Sequence, residues 1–206
     1  MIPRTVFVML GLMVLSKQIV ASEIIHDELY EEVFASENIK LHIANKNDQR
    51  LIRSNIHVLV TNAQVGVIKD NILEVNELKG WFSEVSAAKL IDRESTSKQR
   101  IQLITDMPFP LADRETTMIQ DVQESSVDYV RISLSANYDG LAENDRYVRI
   151  DQYSGEWLLT QKGADVLVEF NAVYDPKVAS IPQPMVVNNL KSAALDFVRN
   201  VSTASF

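Results

Sequence analysis

From residue 84 to residue 174 apolar and polar positions mostly alternate, the period of a strand with one buried face. The alternation predicts strands over 84–92, 98–106, 113–122, 127–136, 146–153, 156–161 and 165–174. Turn-like residues separate them: Ser95-Thr96-Ser97, Pro108-Phe109-Pro110, Glu124-Ser125-Ser126, Asn137 to Asp145, Ser154-Gly155 and Lys162-Gly163. Earlier, Ile39, Leu41 and Ile43 alternate in a strand over 38–45, Asn45 to Asp48 is turn chemistry, and 50–60 completes a hairpin. Strands joined by short turns without helical crossovers make an antiparallel meander.

The period changes in three places. After Ser22, a capping residue, Ile25, Leu29 and Val33 fall on one helical face. Thr61-Asn62-Ala63-Gln64 matches a capping box, and Val65, Ile68, Ile72 and Val75 follow at helical spacing, predicting a helix over 62–74 that Lys79-Gly80 ends before Trp81-Phe82. Val186, Leu190, Ala193, Phe197 and Val201 line one face of a long helix over 183–201, with Pro182 and Pro184 at its start. The pattern gives an α+β domain: about nine antiparallel strands, one helix between the second and third, and one long C-terminal helix. Two helices cannot cover both faces of such a sheet, so it must curl around the last helix, a shape that encloses pockets.

The 206 residues suit one core, and the formal charge of −8 argues against nucleic acid as a partner. The first 22 residues read as a signal peptide: Arg4, a ten-residue apolar run from Val6 to Leu15, then Ile19-Val20-Ala21-Ser22. Lys17 interrupts any longer span. The expectation is an exported protein, periplasmic or secreted, with residues 23–206 as the mature domain. There is no cysteine, hence no disulfide and no lipid attachment through one.

Catalytic and metal chemistry find little support. His26, His42 and His57 are scattered, without a partner at metal spacing. No phosphate loop, dinucleotide fingerprint or Gly-x-Ser-x-Gly elbow occurs among six glycines. The expectation is therefore no enzyme, no catalytic residue, no metal and no cofactor. Arg131 and Arg149 sit between apolar strand neighbours. Either they face solvent, paired with Asp128, Asp151 or Glu169, or they enter the cavity to orient a ligand head.

Several segments together resemble the START domain family of the helix-grip superfamily. They are Trp81 after the first helix, Met107 to Leu111 with Asp113-Arg114-Glu115, Tyr147-Val148-Arg149-Ile150, Gly155-Glu156-Trp157, and Tyr174-Asp175-Pro176 with Ile181-Pro182 ahead of the closing helix. The likeness covers roughly residues 60–200. Glu115 stands where the family usually has Asp, and Lys177 to Ser180 lacks the family's glycine. The resemblance implies an exported bacterial helix-grip protein, a curved sheet wrapped around the long C-terminal helix with an apolar cavity between them. It implies non-catalytic binding of a hydrophobic or amphipathic, lipid-like molecule for transport or sensing, with transient membrane contact. The alternative is a cyclase-like enzyme of the same superfamily. The cavity wall and gate so implied are Trp81, Val130, Ile132, Arg149, Trp157, Val168, Phe170, Ile181, Val186, Leu190, Ala194 and Phe197. The gate itself is the loop from Asp175 to Pro182.

Overall fold

The alternating segments pair into one sheet. The computed structural model describes residues 30–44, 51–107, 109–178 and 182–203. The signal peptide expected over 1–22, most of the helix expected after Ser22, and the turn expected over 45–48 lie outside them. The elements run β1 (Tyr30–Ala35), β2 (Ile39–Ala44), β3 (Ile52–Val60), α1 (Val65–Leu73), α2 (Val75–Trp81), β4 (Val85–Arg93), β5 (Lys98–Thr105), β6 (Arg114–Ser125), β7 (Tyr129–Ala136), β8 (Val148–Arg149), β9 (Tyr153–Lys162), β10 (Asp165–Tyr174) and α3 (Gln183–Thr203). The sheet order is β1-β2-β3-β10-β9-β7-β6-β5-β4, with β8 added beside β6.

Two antiparallel runs, β1 to β3 and β4 to β10, are joined by the pairing of β3 with β10, in which Val58 faces Val168 and Ile56 faces Phe170. On β10 the interior residues Val166, Val168 and Ala172 are buried, while Glu169 and Asn171 take the outer face. There Glu169 pairs with His57 at 3.4 Å and Asn171 accepts a hydrogen bond from Asn55. Arg131 is likewise on the outer face, paired with Glu156 at 3.0 Å rather than with the acids expected from the sequence. Both free edges, β1 and β4, carry charges and bulges, which discourage edge-to-edge association.

α3 lies across the open side of this curved sheet, against β1, β2, β3 and α2. The architecture is the expected helix-grip α+β fold. α1 packs on β7 and β9, and so closes the sheet at the end away from the start of α3.

Four local expectations change. Residues 30–33 belong to strand β1, not to a helix, because their side chains meet β2 in ladder register. The capping box does not form: Asn62 adopts a positive φ of 51°, and Gln64 is the N-cap without a side-chain bond. The free Val65 N–H instead donates to the Gln161 side-chain oxygen at 3.1 Å, a tertiary cap supplied by β9. Gly80 does not stop the helical run; α2 carries on to Trp81, with Val75, Leu78 and Trp81 buried. Finally, Ser154-Gly155 is no turn. It lies inside β9, and the strand expected over 146–153 shrinks to the two residues of β8, which pair parallel with β6.

Candidate functional site: the cavity between sheet and helix

The inner face of the sheet does not meet α3 everywhere. Between them lies a cavity of about 270 Å3. An apolar cavity of about 150 Å3 can already hold a benzene-sized molecule, so there is room here for a larger one. β3 contributes Ser54, Ile56 and Val58; β10 contributes Val168, Phe170 and Ala172; β9 contributes Trp157, β7 Leu134 and β5 Ile101 and Leu103. Leu78 of α2 and Phe82 just beyond it close one end, and α3 presents Val186, Leu190, Ala193, Ala194 and Phe197. Alternation explains the strand set: every second residue points inward, and those positions are apolar.

Aromatic rings form the floor. Trp157 stands 4.2 Å from Phe170 and 5.5 Å from Phe197, centroid to centroid, and Phe82 lies 6.5 Å from Trp157. Such offset and tilted pairs hold the wall rigid without filling the space in front of it.

The opposite end is polar. Thr105, Arg114, Thr116, Tyr153 and Tyr174 line it, with Glu84, Asp106 and Asn189. Asp106 and Asn189 are exposed and mark the mouth, together with Met107, Leu111, Pro176 and Met185. Tyr153 and Tyr174 face each other across β9 and β10, ring centroids 6.0 Å apart. Burial pushes the Tyr174 hydroxyl up to about 12, with the Glu84 charge adding to it, and raises Tyr153 further. Burial raises the Glu84 carboxyl as well, and Asp196 reinforces the shift. Ser54, on the inner wall, is fully buried, and its hydroxyl has no hydrogen-bond partner among the described residues.

Of the residues singled out in the sequence, Trp157, Val168, Phe170, Val186, Leu190, Ala194 and Phe197 stand on the cavity wall. Trp81 does not: it is buried behind the wall, edge-on to Phe197 at 5.4 Å. Val130 and Ile132 are on the inward face, but belong to the core at the α1 end of the sheet. Arg149 is on β8, beside β6, and takes the outer face of the sheet. It meets Glu115 at 3.4 Å, donates to the Ala142 carbonyl at 2.7 Å and covers the Tyr138 ring at 4.2 Å. Ile181 lies outside the described residues. The sequence reading overlooked Ser54, Arg114, Tyr153 and Glu84. For Ser54 a signal existed: it is the one polar residue among the inward positions of β3, with Ile52, Ile56, Val58 and Val60.

His42 and His57 lie together on the outer face, their rings 5.7 Å apart, away from the cavity. No group of three or more metal-ligating side chains occurs among the described residues.

No protein family's sequence model matches the chain, and no curated protein matches it by sequence. Its shape, however, matches solved structures. A STAR-related lipid transfer protein from Xanthomonas axonopodis superposes with a TM-score of 0.72 at 18% identity, covering 85% of this chain and 97% of that one. Human STARD10 gives 0.75 at 14% identity, covering 89% and 77%. The Zhui aromatase/cyclase of a Streptomyces species gives 0.52 at 11% identity, covering 74% and 92%. The fold is START-like.

Proposed function

We propose that the protein binds a hydrophobic or amphipathic, lipid-like small molecule in this cavity, for carriage or sensing rather than for chemistry. The observation that carries the reading is the cavity itself: space between sheet and α3 that the side chains of the described residues leave open, walled mainly by apolar groups. Each Å2 of ligand surface removed from water there is worth about 25 cal/mol before ordering costs. The likeness to lipid transfer proteins supports it.

Entry has an obvious route. In this reading the gate is at the mouth, where Pro176, ahead of α3, lines the opening with Met185. At its lip stands Phe109, 97% exposed, between the lining residues Met107 and Leu111. A large apolar ring held in water beside a cavity mouth suits transient insertion into a lipid surface. In the same reading residues 1–22 direct export and are removed, which N-terminal sequencing of the secreted form checks.

One observation favours a second reading. Glu84, Tyr153 and Tyr174, all with raised proton affinities, gather at one end of the pocket, as an acid–base site would require. A single experiment separates the two. Small molecules extracted from the purified protein are identified by mass spectrometry, then returned to the stripped protein. Recovery of the same compound unchanged supports a carrier; recovery of a product supports an enzyme. A protein that carries nothing, and takes up neither fluorescent fatty acids nor sterols, overturns the cavity reading.

A further inference from the structure

We propose that the ligand is a single-chain amphiphile with a carboxylate head, and that Arg114 is the counter-charge for that head. The inference rests on the cavity reading above.

Arg114 opens β6 and is 5% exposed. Its guanidinium lines the cavity. Nε donates to the Pro176 carbonyl at 2.9 Å and Nη1 donates to the carbonyl of Ala112. A guanidinium has five N–H groups and stays charged. Among the described residues the Nη2 edge has no acceptor, and no carboxylate lies within ion-pair distance of Arg114. Its neighbour Asp113 is turned to another task, accepting from the Met107 N–H at 3.0 Å. Two carbonyls satisfy part of this buried guanidinium but do not neutralise it: burial lowers its proton affinity, a cost that only the Asp113 charge opposes. An anion on the free edge would remove the cost.

The surroundings fit such a head. Thr105 faces Arg114 across the β5–β6 ladder, and Thr116 follows on the same inward face of β6. Beyond them the wall turns apolar toward Trp157 and Phe197, the direction a tail would take. Two acids share the mouth, Glu84 and Asp106. Glu84 is drawn toward its neutral form by burial, and Asp106 is exposed, where water screens it. They leave a preference for a single negative charge over a multiply charged head. The planar fork of one arginine matches a carboxylate.

The test compares dodecanoate, dodecanol and dodecylamine as ligands of the whole protein at neutral pH by calorimetry. The acid should bind about tenfold or more tighter than the alcohol, the scale of one charge-assisted hydrogen bond, and the amine should bind weakest. Arg114→Gln should abolish the gap between acid and alcohol, with the loss of affinity falling chiefly on the acid. Because Arg114 also ties Pro176 and Ala112, that variant can fail to fold. Carbon NMR of carboxyl-labelled dodecanoate on the unaltered protein then decides: a carboxyl that titrates below its free value supports the pairing. Equal binding of acid and alcohol, or a carboxyl that titrates as in water, overturns this inference alone. Binding of none of the three overturns the cavity reading and this inference with it.

Discussion

A Cβ placed on Gly155 would stand 2.6 Å from the carbonyl oxygen of Asn171 on the neighbouring strand. Gly155 pairs with Ala172 in the β9–β10 ladder and sits between Tyr153 and Trp157 on the inner face. The missing side chain is what lets β10 come this close. Gly155→Ala should therefore destabilise the protein by about 1–3 kcal/mol, since the contact is with backbone and cannot swing aside. Urea denaturation measures it; an unchanged midpoint would contradict the close approach.

Ser54→Ala should behave in the opposite way. The buried hydroxyl has no partner among the described residues. Deleting it removes an unmet polar group, so stability should stay level or rise by up to about 1 kcal/mol. Affinity for a ligand bearing a hydroxyl or carbonyl should fall. A clear loss of stability would mean that the hydroxyl is satisfied within the fold.

Filling the space should block uptake. Ala194 is buried on α3 and faces the cavity, and Ala193 beside it also lines the wall. Ala194→Trp, with Ala193→Trp as the companion, should weaken binding of a fluorescent fatty acid by at least about tenfold while the far-ultraviolet circular dichroism stays that of the unaltered protein. Undiminished binding would place the ligand elsewhere.

How far these sites were legible in the sequence depends on which coordinate is asked for. Alternation fixes the face: Val168 and Phe170 point inward as expected, and Val166 and Ala172 share their side of β10. It says nothing about the level along the strand. Val130 and Ile132 share the inward face with Leu134, yet only Leu134 reaches the cavity, because α1 covers the other two. Nor does it reveal which outer faces are covered. Val148-Arg149-Ile150 alternates as a strand does: β8 pairs beside β6, Ile150 reaches the cavity, and Arg149 takes the outer face with Glu115, where the Tyr138 hydroxyl meets the carbonyls of Glu115 and Ile150 at 2.9 and 2.8 Å. Arg149 is thereby carried away from the cavity. Arg114 was hidden for a related reason: a charge at a strand start reads as solvent-facing until the curl of the sheet brings Pro176 over it.

The polar end of the cavity has a signature in pH. Tyr174 holds its proton up to about 12 in the folded state, above its ordinary 10.0, and Tyr153 holds on longer. Between these values the folded protein binds more protons than the unfolded chain, so stability falls as pH rises from 10.0. Glu84 has the same sign at the acid end. Its folded value lies above 4.5, so the stability it contributes is present below 4.5 and lost as pH rises through the folded value. Tyr174→Phe should flatten the alkaline decline, and Glu84→Gln should stabilise at neutral pH with the gain vanishing in acid. Thermal melts across pH check both; parallel curves for variant and parent would refute the burial of these groups.

Phe109→Asp tests the membrane contact. The ring is exposed, so the change should leave the melting temperature within a degree or two. Transfer of a fluorescent lipid between neutral vesicles should slow by several-fold, because an apolar contact at the mouth is exchanged for a charge. Equal rates would remove Phe109 from the docking step.

The pairing of β3 with β10 has a consequence for how the molecule comes into being. Asn55 and Asn171, hydrogen-bonded across that seam, are 116 positions apart along the chain. The first three strands therefore have no neighbour to complete their sheet until the last strand has been made, and α3 follows later still. Completion of the sheet must wait until β10 has left the ribosome, and contacts this distant in sequence form slowly. During that interval the apolar inner faces of β1 to β3 are unprotected, so a chaperone that holds the nascent chain extended would speed productive folding more than one that acts on the finished protein.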